Sequence, residues 1–113
     1  MAKFMFKGQY LQAGVQGTLR EGFAAREAYI RQITQAAGGK VEAFYWAYGE
    51  DDVILIVDYP NNIAAAAFSV AASGGGAIKA IKTTPLISIE DGTEIMRMAA
   101  ESGYSPPFEE IME

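Results

Sequence analysis

The stretch 40–59, KVEAFYWAYGEDDVILIVDY, restricts the fold of this chain more than any other. It reads as two β-strands joined by a short acidic turn at Gly49-Glu50-Asp51-Asp52. The second strand, residues 53–57, is apolar at every position, hence on both faces. A strand buried on both sides needs one layer packed above it and another below. A chain of 113 residues is one domain's worth of material. The expectation is a sheet covered by helices on one face and by a second subunit on the other.

The flanking segments fit that picture. Residues 3–12 alternate, with Phe4, Phe6, Gly8 and Tyr10 on one face and Lys3, Met5, Lys7 and Gln9 on the other. Gly14 and Gly17 mark a loop. Thr18 and Glu21 have capping-box spacing, and Gly22 weakens that first turn so that the helix proper can begin a few residues later; it runs to about Ala37 along a stripe of Phe23, Ile30, Ile33 and Ala37. Gly38-Gly39 stops it. After the hairpin, Pro60-Asn61-Asn62 opens an alanine-rich helix with an Asn as N-cap, ended by Gly74-Gly75-Gly76. Residues 77–87 form a fourth strand, and Pro85 suits a sheet edge. Ser88 caps a third helix over about 89–102, with Ile95, Met98 and Ala99 on its apolar side. Gly103 ends that helix, and an irregular tail follows.

Strand, helix, strand, strand, helix, strand is the ferredoxin-like βαββαβ order. The class is α+β: a four-stranded antiparallel sheet, two helices on one face and an extra C-terminal helix. The whole chain, 1–113, is one domain, with its core over 3–88 and a C-terminal helix and tail over 89–113. The first and third strands are central in this topology, and the third is the doubly apolar one. On the second strand Phe44, Trp46 and Tyr48 share one face, and Val41, Ala43, Tyr45 and Ala47 the other. Phe44, Trp46, Ile54 and Ile56 are the candidates for a dimer face, because soluble monomers avoid large exposed apolar patches. The one-chain alternative folds the C-terminal helix over that face.

Composition narrows the chemistry. A net charge of −5 with no basic tract argues against nucleic acid as a partner. The chain has no Cys and no His, so it lacks a thiolate nucleophile, the commonest general base and the usual zinc ligands. No metal and no cofactor are expected, although a Tyr-ligated haem is compatible with the composition. The acidic turn lacks the spacing of a calcium loop and reads as a solvated turn. No run is long enough to span a membrane, and the first residues carry no leader signature; the expected location is cytoplasmic.

The candidates for a ligand pocket are Tyr10, Arg26, Tyr45, Trp46 and Tyr48. Clustered aromatics line pockets for flat or apolar molecules, and they also serve plain packing. Arg26, close to the apolar stripe, is placed to meet an anionic ligand, to pair with Asp58, or to snorkel to solvent. Lys3, Lys7, Lys79 and Lys82 sit on neighbouring strands, where lysines attract anions or simply block edge pairing.

These residues together resemble the GYD-domain family of the dimeric α/β-barrel superfamily. The resemblance rests on Gly8-Gln9-Tyr10, Ala25-Arg26-Glu27-Ala28, Gly38-Gly39-Lys40, Ala43-Phe44-Tyr45, Gly49 with Asp52, Pro60, Ala64 through Phe68, and the ending Gly103-Tyr104-Ser105-Pro106-Pro107. The family's naming triplet, Gly-Tyr-Asp, is not kept at the hairpin, where Asp51 replaces the Tyr. The resemblance implies a dimeric barrel and no established activity. Three functions follow as expectations. One is a homodimeric module that binds a small apolar or aromatic molecule. The others are a cofactor-independent oxygenase or isomerase, and a protein that only oligomerises.

Overall fold

The computed structural model describes residues 1–107; the end of the tail assigned above lies outside them. The opening alternation folds as β1, Ala2–Tyr10. Two helices follow it, α1 over Gln12–Glu21 and α2 over Phe23–Ala36. The hairpin is β2, Lys40–Trp46, and β3, Val53–Tyr59. Then come α3, Asn62–Gly74, β4, Ile78–Leu86, and α4, Ile89–Glu101. The strands form one antiparallel sheet in the order β2-β3-β1-β4. This is the ferredoxin-like order, with β1 and β3 central and Pro85 on an edge strand.

The core lies between the sheet and helices α2 and α3. Phe4, Phe6, Val41, Val53, Leu55, Val57 and Tyr59 supply it from the strands, and Ile30 and Ala65 from the helices. Burial of each large apolar side chain is worth roughly 1.5–3 kcal/mol. Phe6 meets Tyr59 and Phe68 edge-on, with centroids 6.1 and 5.0 Å apart, an arrangement that ring quadrupoles favour. Burial pushes the Tyr59 phenol above its ordinary pKa. The Thr34 hydroxyl beside it weakens that shift but makes no hydrogen bond of normal geometry.

The region read as a loop plus one capped helix is two helices. Gly22 has φ 93°, a backbone that glycine adopts at little cost, and the chain breaks there. Thr18 is no N-cap: it is buried in the last turn of α1, and its carbonyl accepts the Gly22 N–H at 2.8 Å. Gly14 lies inside α1. A Cβ at Gly14 would stand 2.3 Å from the Ala77 carbonyl oxygen, so this glycine permits close approach and not a chain reversal.

The second strand also departs from strict alternation. The β2–β3 register shifts between Val41 and Ala43, which makes Glu42 the extra residue of a β-bulge. Val41 and Phe44 therefore share the helix-covered face, where Phe44 pairs with Leu55 and Trp46 with Val53. Ala43 and Tyr45 turn to the open face beside Ile56 and Ile54. The four residues expected on one dimer face are thus divided: Ile54 and Ile56 are on the open face, Phe44 and Trp46 on the other.

The open face has a half-buried apolar centre of Met5, Ile54 and Ile56. Around it stand Lys3, Lys7 and Lys82. Lys3 bridges Glu42 and Asp58, the latter at 3.0 Å. The two carboxylates, Glu42 first, raise the Lys3 ammonium above its ordinary pKa. Helix α4 does not fold over this face and packs closely on no other element. Its first turn is capped by Ser88, whose Oγ accepts the Asp91 N–H at 3.0 Å. Asn61 does the same for α3, accepting the Ala64 N–H at 2.9 Å.

Candidate functional site

Helix α2 packs over β2, and α3 packs mainly over β4. Helix α3 also reaches the central strands β1 and β3, but near Gly8 and Val53 the two helices do not meet. A cleft of about 50 Å³ opens there. Its floor is Phe6, Gly8, Val53 and Leu55; its walls are Arg26 and Ile30 from α2, Phe68 and Ala72 from α3, and Phe44, Ile78 and Ile81 from the strands beside them. Gly8 keeps the floor open. A Cβ added there would sit 3.5 Å from Ile78, Val53 and the Ala80 carbonyl, in ordinary contact, within the space the cleft now occupies.

Tyr10 closes one end of the cleft. Its ring stacks on Trp46 at 5.4 Å, and Trp46 leans on Phe23 at 4.7 Å. Asp52 holds this corner. Its Oδ2 accepts the Tyr10 N–H at 2.8 Å, and its own N–H donates to the Gly8 carbonyl at 2.9 Å. Its carbonyl accepts the Ala47 N–H at 2.8 Å. The acidic turn read as solvated is therefore tied to β1 through Asp52. Glu50 leans instead toward Lys82, at 3.4 Å. Arg26 is half-buried, with its guanidinium carbon 5.0 Å from the centre of the Tyr29 ring, within cation–π range. Asp58, the carboxylate that the sequence offered to Arg26, is engaged by Lys3.

Of the five pocket candidates, Tyr10 and Arg26 line the cleft and Trp46 backs Tyr10 from the same face. Tyr45 is 66% exposed on the open face, and Tyr48 is 94% exposed in the hairpin turn. Neither reaches the cleft. The sequence reading missed Gly8, Asp52, Ile30 and Phe68. Phe68 carried one usable signal, a single aromatic in a run of alanines. Asp52 was marked by the resemblance, but its role was not readable, because its partner Tyr10 is 42 residues away in the chain.

The cleft excludes water from a small apolar group and presents a guanidinium and a phenol at its rim. No carboxylate lines it; Lys7, Tyr10 and Arg26 are its titratable residues, and strand alternation turns the Lys7 side chain to the opposite face. Such a lining suits binding better than proton abstraction, which needs a base. A buried water needs roughly 10–15 Å³, so the space takes only a few non-hydrogen atoms. Among the described residues no group of three Asp or Glu side chains is placed to hold a metal. No helix among them is long and apolar enough to cross a membrane.

With the fold and cleft established, comparison places the chain. Residues 4–96 match the model of the GYD domain, a span that takes in β2, β3 and β4, β1 from Phe4 on, and both helices of the cleft. The chain belongs to the GYD-domain family. The crystal structure of MtbAldR (Rv2779c) is similar to this GYD domain with a TM-score of 0.54 and 24% identity. The likeness covers 77% of this chain and 52% of that one, so the GYD domain spans about half the length of that protein. At this identity the likeness concerns the fold. No curated protein matches the chain.

Proposed function

We propose that this GYD domain is a homodimeric module that holds a small apolar molecule in the cleft between α2 and α3. The observation that carries the reading is the open floor at Gly8, walled by apolar side chains and rimmed by Tyr10 and Arg26. Sites of this kind are mostly apolar with a few placed polar groups. A molecule the size of a benzene ring requires α2 and α3 to part slightly. The second subunit covers Met5, Ile54 and Ile56 on the open face.

The test is a titration of the full chain with a panel of small aliphatic and aromatic compounds, read by Trp46 fluorescence. Saturable binding is expected, together with its loss in Gly8→Val, whose extra carbons occupy the cleft. No saturable response from any compound, or unchanged binding in the variant, rejects the cleft as the site. The placing of Tyr10 and Arg26 at one cleft also favours a second reading, a cofactor-independent oxygenase or isomerase. Oxygen uptake or product formation with a compound that binds, lost in Tyr10→Phe, separates the two. A stable dimer that binds nothing leaves oligomerisation alone as the function.

A further inference from the structure

The radius of gyration is 18.5 Å, whereas a compact chain of this length has about 13 Å. The longest dimension is 64 Å, against 29 and 22 Å across. Among the described residues helix α4 is the one element that packs closely on no other. It is nonetheless two-sided. Glu90, Glu94, Arg97 and Glu101 fall on one arc, where Arg97 pairs with Glu94 and Glu101. Ile89, Gly92, Ile95, Met96, Met98 and Ala99 fall on the remainder. Ile89 is 89% and Met96 71% exposed. A helix of 13 residues is marginal in water without packing on its apolar side.

We infer that α4 is an arm that packs its apolar side on a second copy of this chain, next to the open sheet face. The inference rests on the dimer reading above and extends it to α4. Three observations choose the occupant. A groove of about 850 Å³ runs between Asp91, Glu94 and Ile95 of α4 and Lys3, Asp58 and Leu86 at the end of the sheet. The two uncovered surfaces therefore adjoin, and in a two-fold dimer each copy supplies what the other lacks. Size also favours the arm. A sheet of four strands is about 20 Å wide and offers roughly 400–500 Å² of flat face, short of the ~800 Å² per partner of a stable interface. Helix α4, about 20 Å long, extends it. Charge agrees as well: Lys7 stands across from Lys82 on the open face, a like-charged pair that Glu50 and Asp51 offset only from the Lys82 side. Asp91, in the first turn of α4 and bordering its apolar side, carries the complementary sign.

The experiment measures dimer dissociation of the full chain by sedimentation over a concentration series, for the native chain and Met96→Glu. Met96 is largely in solvent within one chain, so the variant keeps its fold, which circular dichroism checks. A rise in Kd on the order of 100-fold is expected for loss of a central apolar contact. In parallel, isotopically light and heavy chains are mixed and treated with a carboxyl–amine cross-linker. Links from Asp91 of one isotope to Lys7 or Lys82 of the other are expected. A dimer whose Kd stays within about threefold in Met96→Glu, or links only within one isotope, overturns the arm and leaves the dimer. A native chain that stays monomeric at every concentration overturns both.

Discussion

Tyr10 stacks on Trp46 across an intervening strand: their centroids are 5.4 Å apart and their planes 23° from parallel. Tyr10 ends β1 and Trp46 ends β2, while β3 lies between those strands. The pair closes one end of the cleft over Val53, with which Trp46 is in register. Such a contact is worth about 0.5–1.5 kcal/mol beyond area burial. Trp46 is the single tryptophan of the chain, so its emission reports on this corner. Tyr10→Ala is expected to red-shift that emission and lower stability by about 1–3 kcal/mol. Tyr45→Ala on the opposite face is expected to leave the emission in place.

Asp52 accepts the Tyr10 N–H through its carboxylate while its own N–H donates to the Gly8 carbonyl. Hydrogen bonds to charged groups contribute about 1.5–3 kcal/mol. Asp52→Ala is expected to cost about that much in urea unfolding. Glu50→Ala removes only an exposed contact to Lys82 and is expected to cost under about 1 kcal/mol. Equal losses in the two variants would reject the assigned role of Asp52.

Two glycines of α1 are expected to respond with opposite signs. Gly14→Ala drives a methyl to 2.3 Å from the Ala77 carbonyl oxygen, and overpacking of this kind costs about 1–3 kcal/mol. Gly17 has open space, its nearest neighbour being an Arg20 side-chain nitrogen at 4.0 Å. Gly17→Ala is expected to stabilise by up to about 1 kcal/mol through helix propensity. Thermal melts of the pair check both directions.

Stability is expected to fall on the alkaline side. Burial raises the Tyr59 phenol above 10.0, and Glu42 and Asp58 raise the Lys3 ammonium above 10.5. A group raised in the folded state binds its proton more tightly there than in the unfolded chain. Its contribution is whole below the unfolded pKa and is lost as pH rises through the folded one. Urea midpoints are expected to be level from pH 8 to about 10 and to fall above that. Tyr59→Phe is expected to remove the phenol's share of the fall. The exposed Lys3 share is expected to shrink with salt.

The period-two runs of β1 and β3, the glycine pair after α2, and the Asn61 and Ser88 caps are local signals. Each depends on residues a few positions apart, and the ferredoxin-like order follows from them. The bulge at Glu42 has no such signal. It puts Val41 on the helix side with Phe44 and leaves Ala43 on the open face, while the pairing of Phe44 with Leu55 and Trp46 with Val53 takes both aromatics off the expected dimer face. Gly14 and Gly22 look alike in the chain, yet one admits the Ala77 carbonyl and the other breaks a helix. The difference lies in a neighbour 63 residues on and in a backbone angle, neither of which composition encodes.

The cleft shows the same division. Its aromatic and cationic residue types are readable along the chain: an alternating strand that ends in Tyr10, an arginine beside an apolar stripe, an aromatic run at Phe44. Their assembly is not. Tyr10 meets Trp46 only because β3 inserts between their strands, and Gly8 becomes a floor only because α2 and α3 settle over opposite halves of the sheet. Periodicity and capping act over one or two turns of chain, so they specify elements and their order. Which side chains share a face, and which face stays uncovered, depends on register and packing between segments dozens of residues apart.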